Sequence, residues 1–232
     1  KIRLNRNLAI VLIPSLLAII STMFLVAARK PPTLVYVGSP LTFVTAVDAS
    51  NGSVVATIQV DEGPNAFAFT PDGNKLYVSN NSSASVSVID SANNTVVNTI
   101  TLGNGAAPFE LVSNPSGSLV YVAVCGLDVV SVIDTNSDSV ITNITVGSCP
   151  VGLAISPDGS RLYAANSGSN DVSVIGTSNN SVIDTVSVEQ FPVDVAVTPD
   201  GSRVYVSNGG SSKVSVIATN SNTVTNSIIV TT

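Results

Sequence analysis

The chain of 232 residues has no histidine and no tryptophan, one methionine and two cysteines. Without histidine there is no Ser-His-Asp or Cys-His arrangement and no imidazole ligand for haem or zinc. No side chain has an ordinary pKa poised near neutrality either. Two cysteines without histidine make a poor zinc site, and no glycine-rich phosphate loop leads from a strand into a helix. No cofactor or metal set is legible. Positive charge is scarce as well. Five of the nine lysines and arginines precede residue 33, and the remainder sets four basic against fifteen acidic residues, a formal charge of −11. That balance excludes nucleic acid as a partner. It reads as a solvated acidic surface, and the low lysine content with abundant Asn, Ser and Thr suits an extracellular domain.

What the chain does have is repetition. Its five tyrosines, Tyr36, Tyr77, Tyr121, Tyr163 and Tyr205, stand 41, 44, 42 and 42 residues apart, in YVGS, YVSN, YVAV, YAAN and YVSN. A second series follows each by about a dozen residues: FVTAVD from Phe43, VSVID from Val86 and Val130, VSVIG from Val172 and VSVIA from Val214. A third precedes four of them: PNAFAFTPDG from Pro64, PFELVSNPSG from Pro108, PVGLAISPDG from Pro150 and PVDVAVTPDG from Pro192. A constant period near 42 means that one small supersecondary unit is stacked on itself.

The copy from Pro150 shows what one unit encodes. Gly152 to Ser156 is a short apolar run, Ser156-Pro157-Asp158-Gly159 has the composition of a type I turn, and Arg161 to Asn166 is a second run. Asp171 to Ile175 alternates, Thr177 to Asn180 is a polar turn, and Ser181 to Val188 alternates again. Each unit is four short antiparallel strands that cannot bury both faces alone. Radial stacking predicts an all-β propeller of about five visible blades; the alternative is a linear β-solenoid. Ala68, Ala154 and Ala196 are the small residues expected where first strands crowd the centre, and Phe67, Leu153 and Val195 should fill the space between blades.

On these motifs the chain resembles the YVTN β-propeller repeat family over about Thr33 to Thr232, and Pro192 to Val230 reproduces most of that family's signature. The resemblance implies a propeller related in shape to seven-bladed surface and periplasmic propellers. It implies little about activity, because one frame carries many functions. Related propellers that hold haem d1, a quinone cofactor or a lactone-cleaving metal centre use residues not found here.

The strand count predicts that the chain enters at the second strand of a blade, Leu34 to Gly38, and ends in the outermost strand of the last, Ile228 to Thr232. With Lys1 in place of an initiator methionine, a piece of a longer polypeptide is expected; the alternative is a five-bladed ring whose first blade has three strands. Residues 1–30 read as a basic stub and a transmembrane helix over about 8–28, residues 31–33 as a linker and 34–232 as the propeller. Leu8 to Ala28 is 21 residues without a charge, long enough to cross a bilayer. Lys1, Arg3 and Arg6 keep the amino end cytoplasmic and send the propeller outside, a bias that Arg29 and Lys30 weaken. A cleaved signal peptide ending at Val26-Ala27-Ala28 and a pilin-like amino terminus are the rivals. Pro14 should kink the helix, as a membrane partner would accommodate.

Cys125 ends the second strand of one blade and Cys149 precedes the first strand of the next, so both loops open on one face and a disulfide is expected in an oxidising compartment. N-glycosylation triplets occur at Asn51, Asn80, Asn81, Asn93, Asn143 and Asn179. One constellation outside the turns stands out: Glu110 and Asp194 hold the third position of their first strands, where other copies have Ala66 and Gly152; the favoured reading is a pair of solvated acids at a strand start, and the alternative is that both carboxylates approach the mouth of a central channel as a cation or polar-ligand site. Asp48, Asp90, Asp134, Asp72, Asp158 and Asp200 recur in turns and read as turn-makers. The resulting expectation is a non-catalytic scaffold, membrane-anchored and extracytoplasmic, either an accessory subunit of a membrane complex or a surface-layer or adhesion protein. The alternative class is an enzyme whose active residues lie in further blades.

Overall fold

The computed structural model describes residues 25–27, 33–39 and 41–230. Among these residues twenty strands form five four-stranded antiparallel sheets, each a meander in chain order. Blade 1 is β1 (Leu25–Ala27), β2 (Leu34–Gly38), β3 (Phe43–Asp48) and β4 (Val54–Gln59); blade 2 is β5 (Pro64–Phe69), β6 (Lys75–Asn80), β7 (Ser85–Asp90) and β8 (Thr95–Thr101). Blade 3 is β9 (Pro108–Ser113), β10 (Leu119–Val124), β11 (Val129–Asp134) and β12 (Ser139–Thr145). Blade 4 is β13 (Pro150–Ile155), β14 (Arg161–Asn166), β15 (Asp171–Gly176) and β16 (Ser181–Ser187). Blade 5 is β17 (Pro192–Val197), β18 (Arg203–Asn208), β19 (Lys213–Ala218) and β20 (Thr223–Ile229).

The sequence reading begins blade 1 at its second strand and assigns everything from Leu8 to Ala28 to a helix. The structure corrects both at their junction: Leu25–Ala27 is a strand, antiparallel to β2, with Val26 opposite Tyr36. The open edge of β2 carries backbone donors and acceptors that need partners, and an apolar tripeptide supplies them. Blade 1 therefore has four strands, not three. Residues 8–24 and 28 of the expected helix lie outside the described residues. Among the described residues no helix is long and apolar enough to cross a membrane; a single 3₁₀ turn, Cys125–Leu127, interrupts the strands.

First strands of blades 2 to 5 lie side by side, whereas fourth strands barely meet. The sheets thus fan out from an axis, as radial stacking requires. Between blades 4 and 5, Tyr163, Ala165, Val172 and Val174 meet Val195, Val204, Val206 and Ile217, and equivalent sets fill the other three interfaces. Phe67, Leu153 and Val195 are buried between blades as expected. Ala68 is buried, Ala154 half-buried and Ala196 exposed; among the described residues no blade packs on that face of blade 5.

The same asymmetry marks the ends of the stack with a period of two. In β18, Val204, Val206 and Asn208 face blade 4 and are buried, while Tyr205 and Ser207 face away and are half-exposed. Their counterparts Tyr163 and Ala165, covered by blade 5, are fully buried. In β3 the mirror holds: Thr45 and Val47 are half-exposed, whereas Ser87 and Ile89 in β7 are fully buried. Among the described residues no comparable packing joins blade 5 to blade 1, so the five blades form an arc.

Each outer strand carries a register shift against its neighbour, at Val55, Val97, Ile141, Ile183 and Thr225. An edge strand that runs unbroken invites pairing with another chain, and a bulge disrupts that ladder.

Candidate functional site

The chemistry converges at the channel. In β5, β9, β13 and β17 the pairing with the second strand shifts register just after the leading proline. A bulge there re-aims the residue that follows, namely Ala66, Glu110, Gly152 and Asp194. Because β9, β13 and β17 are adjacent, Glu110 and Asp194 flank Gly152. A Cβ on Gly152 would lie 2.7 Å from the Cα of Asp194, so the close approach of the two strands needs glycine. The missing side chain also leaves the two carboxyls facing one another's field. Burial pushes Glu110 up to about 7, and the charge of Asp194 adds to the rise. Loss of hydration raises Asp194 too, opposed by the Val195 N–H, which donates to its Oδ1 at 2.8 Å. Asp194 is the more open of the two, since among the described residues no blade packs on the far face of blade 5. The sequence reading named both carboxylates; it missed that Gly152 is what brings them together. Among the described residues no group of three or more His, Cys, Asp or Glu is placed to hold a metal ion.

The repeated aspartates are turn residues. Asp158 accepts from the Ser156 and Ser160 hydroxyls and the Ser160 N–H, and Asp200 from Thr198 and Ser202 in the same pattern. These bonds lower both to about 2. The Ser156–Gly159 turn closes with a 2.8 Å bond from the Gly159 N–H to the Ser156 carbonyl, Gly159 standing at φ +72°.

The tyrosines form a series of latches that sequence periodicity did not reveal. Tyr36, Tyr77 and Tyr121 each donate a hydroxyl proton to a left-handed residue in the outer turn of the next blade: Asn94, Asp138 and Asn180. Tyr163 breaks the series: among the described residues its buried hydroxyl reaches no acceptor in an outer turn, and the Arg161 side chain lies beside it.

In an up-and-down blade the first and third turns open on one face, and the second turn and the blade connections on the other. Cys125 and Cys149 form the expected disulfide on the latter face, the face at which Glu110 and Asp194 begin their strands. Asn51, Asn93 and Asn179 are exposed in third turns on the opposite face, and Asn143 is exposed on β12. Asn81 is half-buried and donates to the Pro108 carbonyl. Asn80 is fully buried, its amide donating to Ser85 and Ser87. That burial removes Asn80 from the candidate glycan acceptors.

Comparison with known proteins supports the propeller. Residues 148–227, blades 4 and 5, match the family model described as Lactonase, 7-bladed beta-propeller. Hydrazine synthase of Kuenenia stuttgartiensis is similar in structure, with 28% identity over 83% of this chain and 62% of that one and a TM-score of 0.73. A functionally unknown protein of Desulfotomaculum acetoxidans has 20% identity over 88% of this chain and 69% of its own, with a TM-score of 0.74. A chain of the mitotic checkpoint complex shares the fold at 13% identity, covering 89% of this chain and 66% of that one, with a TM-score of 0.79. The chain thus spans 62% to 69% of the length of these structures. No curated protein matches the sequence. These findings correct the expectation of a chain without catalysis: the matching family is named for lactonases, and one similar structure is an enzyme, hydrazine synthase. Absent histidine excludes some chemistries, but a desolvated carboxyl can handle protons near neutrality in its place.

Proposed function

We propose that this chain belongs to an extracytoplasmic enzyme with YVTN-type repeats, working at the channel mouth through Glu110 and Asp194 on a cyclic or activated ester. The observation that carries this reading is the pair of carboxylates flanking side-chain-free Gly152, with Glu110 raised to about 7. A general base works best when its pKa is near the operating pH. Glu110 takes a proton from a water as that water attacks the ester carbonyl, and returns it to the departing alkoxide; one acyl C–O bond breaks and one forms. Burial holds the Glu110 pKa high and Asp194 adds to the rise; Asp194 also accepts a hydrogen bond from a substrate hydroxyl. The family model covers Gly152 and Asp194 but not Glu110, which makes Glu110 the residue to test. Hydrolysis of a panel of sugar lactones should follow a pH profile with an apparent pKa near 7, fall at least 100-fold in Glu110→Gln, and shift to lower pH in Asp194→Asn. Lactone hydrolysis unchanged in Glu110→Gln would remove the dyad from the reaction.

A second reading is favoured by the likeness to hydrazine synthase: a subunit of a larger enzyme assembly, tethered to a membrane. Leu8 to Phe24 still supplies 17 uncharged residues ahead of β1, the short end of the range for a spanning helix, and the disulfide fits an oxidising compartment. Native-size separation of mildly solubilised membranes, with mass spectrometry of what travels with the chain, tests it. Constant-ratio co-migration with membrane proteins supports the subunit; migration alone, or as a homopolymer bearing glycans, points to a surface-layer or adhesion protein.

A further inference from the structure

We propose that Asn104 is a site of self-modification, at which the backbone nitrogen of Gly105 displaces the side-chain amide and leaves a cyclic imide that water opens to aspartate or isoaspartate. The reaction needs an asparagine carboxamide, a following nitrogen free to attack it, and a backbone loose enough to let the two meet. Glycine suits the following position best, since it has no side chain to obstruct the approach and its φ is unrestricted. The sequence offers six pairs in which glycine follows Asn or Asp: Asn51-Gly52, Asp72-Gly73, Asn104-Gly105, Asp158-Gly159, Asp200-Gly201 and Asn208-Gly209.

The fold disarms five of them by holding the glycine N–H on a backbone carbonyl. Gly52 donates to Asp48 at 2.7 Å, Gly73 to Thr70, Gly159 to Ser156 and Gly201 to Thr198 at 2.8 Å, and Gly209 to Phe191 at 2.7 Å. The two competing asparagines are pinned as well. Asn51 Oδ1 accepts from the Ser53 N–H at 2.8 Å. Asn208 is buried, its amide donating to the Val206 and Lys213 carbonyls and the Ser215 hydroxyl. Among the described residues, Gly105 alone of the six glycines has an N–H without an acceptor, and Asn104 beside it is exposed.

The length of the loop explains the exception. Blades are joined by four residues at 60–63, 146–149 and 188–191, but by six, 102–107, between β8 and β9. In the short connections the N–H before the leading proline is tied to the second turn of the preceding blade: Gly63 to the Leu41 carbonyl, Cys149 to Asp128 Oδ1 and Phe191 to Asn170 Oδ1. Ala107, their counterpart, makes no such bond among the described residues. The longer connection is closed within itself by one 3.2 Å bond, from the Ala106 N–H to the Gly103 carbonyl, and Asn104 stands between two glycines at positive φ, Gly103 and Gly105. Nothing lies within 4 Å of where a Cβ on Gly105 would stand. The peptide therefore has room to turn its nitrogen onto the Asn104 carboxamide.

The chemistry closes with water alone. The Gly105 nitrogen loses its proton and bonds to Asn104 Cγ, ammonia leaves, and water adds to one of the two imide carbonyls. Opening at Cγ gives aspartate; opening at the backbone carbonyl gives isoaspartate, whose main chain is one carbon longer. Either product places a new carboxylate on the face where Glu110 begins its strand, and the longer connection absorbs the added carbon without disturbing β8 or β9.

The test is peptide mapping by mass spectrometry of the folded chain, made without glycans and incubated at 37 °C and pH 8.5 in water enriched in oxygen-18. Heavy oxygen should enter the peptide holding Asn104 at least tenfold faster than those holding Asn51 or Asn208, with isoaspartate among the products. In urea, where no fold holds the glycines, the three asparagines should convert at rates within a few-fold of one another. Asn104→Gln should remove the fast conversion and leave the thermal midpoint unchanged. Equal conversion of the three sites in the folded chain, faster conversion of Asn51 or Asn208, or an Asn104 that stays intact when folded yet converts in urea would each overturn the assignment.

Discussion

At the scale of single residues, chemistry here depends on departures from the repeat. The third position of the first strand varies among the four Pro-led repeats: Ala66 and Gly152 are small, Glu110 and Asp194 are acids, and Gly152 makes the room between the two acids. Such a placement works against the fold. An unfolded glutamate titrates near 4.5 and the folded Glu110 near 7, so the folded chain binds the extra proton between those values and stability falls as pH rises through that window. Glu110→Gln cannot ionise. Its stability should match the parent at pH 4 and exceed it at pH 8 by about 3 kcal/mol, read as a higher thermal midpoint. A variant less stable than the parent at pH 8 would mean that the carboxylate is held by bonds that outweigh its desolvation. The turn aspartates behave in the opposite sense: lowered by hydroxyl and amide donors, they stabilise above their unfolded pKa and lose that contribution in strong acid.

At the scale of elements, what the sequence made legible was what repeats. The Pro, Tyr and VSVID series located the four strands of blades 2 to 5 within a residue or two. The alternation of Phe67, Leu153 and Val195 with small residues identified the faces between blades. Unrepeated features were hidden. Leu25–Ala27 lies inside a segment whose hydropathy suits a membrane helix, and only the open edge of β2 reveals it as a strand. The tyrosine latches join residues 58 to 61 apart, a spacing invisible within one repeat. In blade 3 the residue that ends the second strand is Val124 instead of the buried asparagine of blades 2, 4 and 5, and there the Cys125–Cys149 bond ties the loop to the start of β13. The bond spans 24 residues and closes a loop over the outer half of blade 3. Its reduction should lower stability by about 3 kcal/mol on the loop-entropy account, read as a lower denaturation midpoint with reductant present. An unchanged midpoint would leave blade 3 held by strand packing alone.

At the scale of the whole molecule, the five blades leave the far face of blade 5 uncovered among the described residues. Tyr205 records this directly: it is half-buried, while Tyr36, Tyr77, Tyr121 and Tyr163 are fully buried. Nitration of the folded chain should therefore modify Tyr205 before any of the other four, as peptide mapping would detect; protection of Tyr205 would mean that its face is covered. The same radial convergence that buries the other tyrosines brings first strands side by side, and so creates the carboxylate pair. The most direct measurement of that account is the carboxyl pKa of Glu110, by carbon NMR of the labelled chain, alone and with Asp194→Asn. A value near 7 that falls part of the way toward 4.5 in the variant is predicted, since burial is the larger cause and Asp194 the smaller. A value near 4.5 in the parent, unmoved by Asp194→Asn, would contradict the channel-mouth dyad and the function built on it.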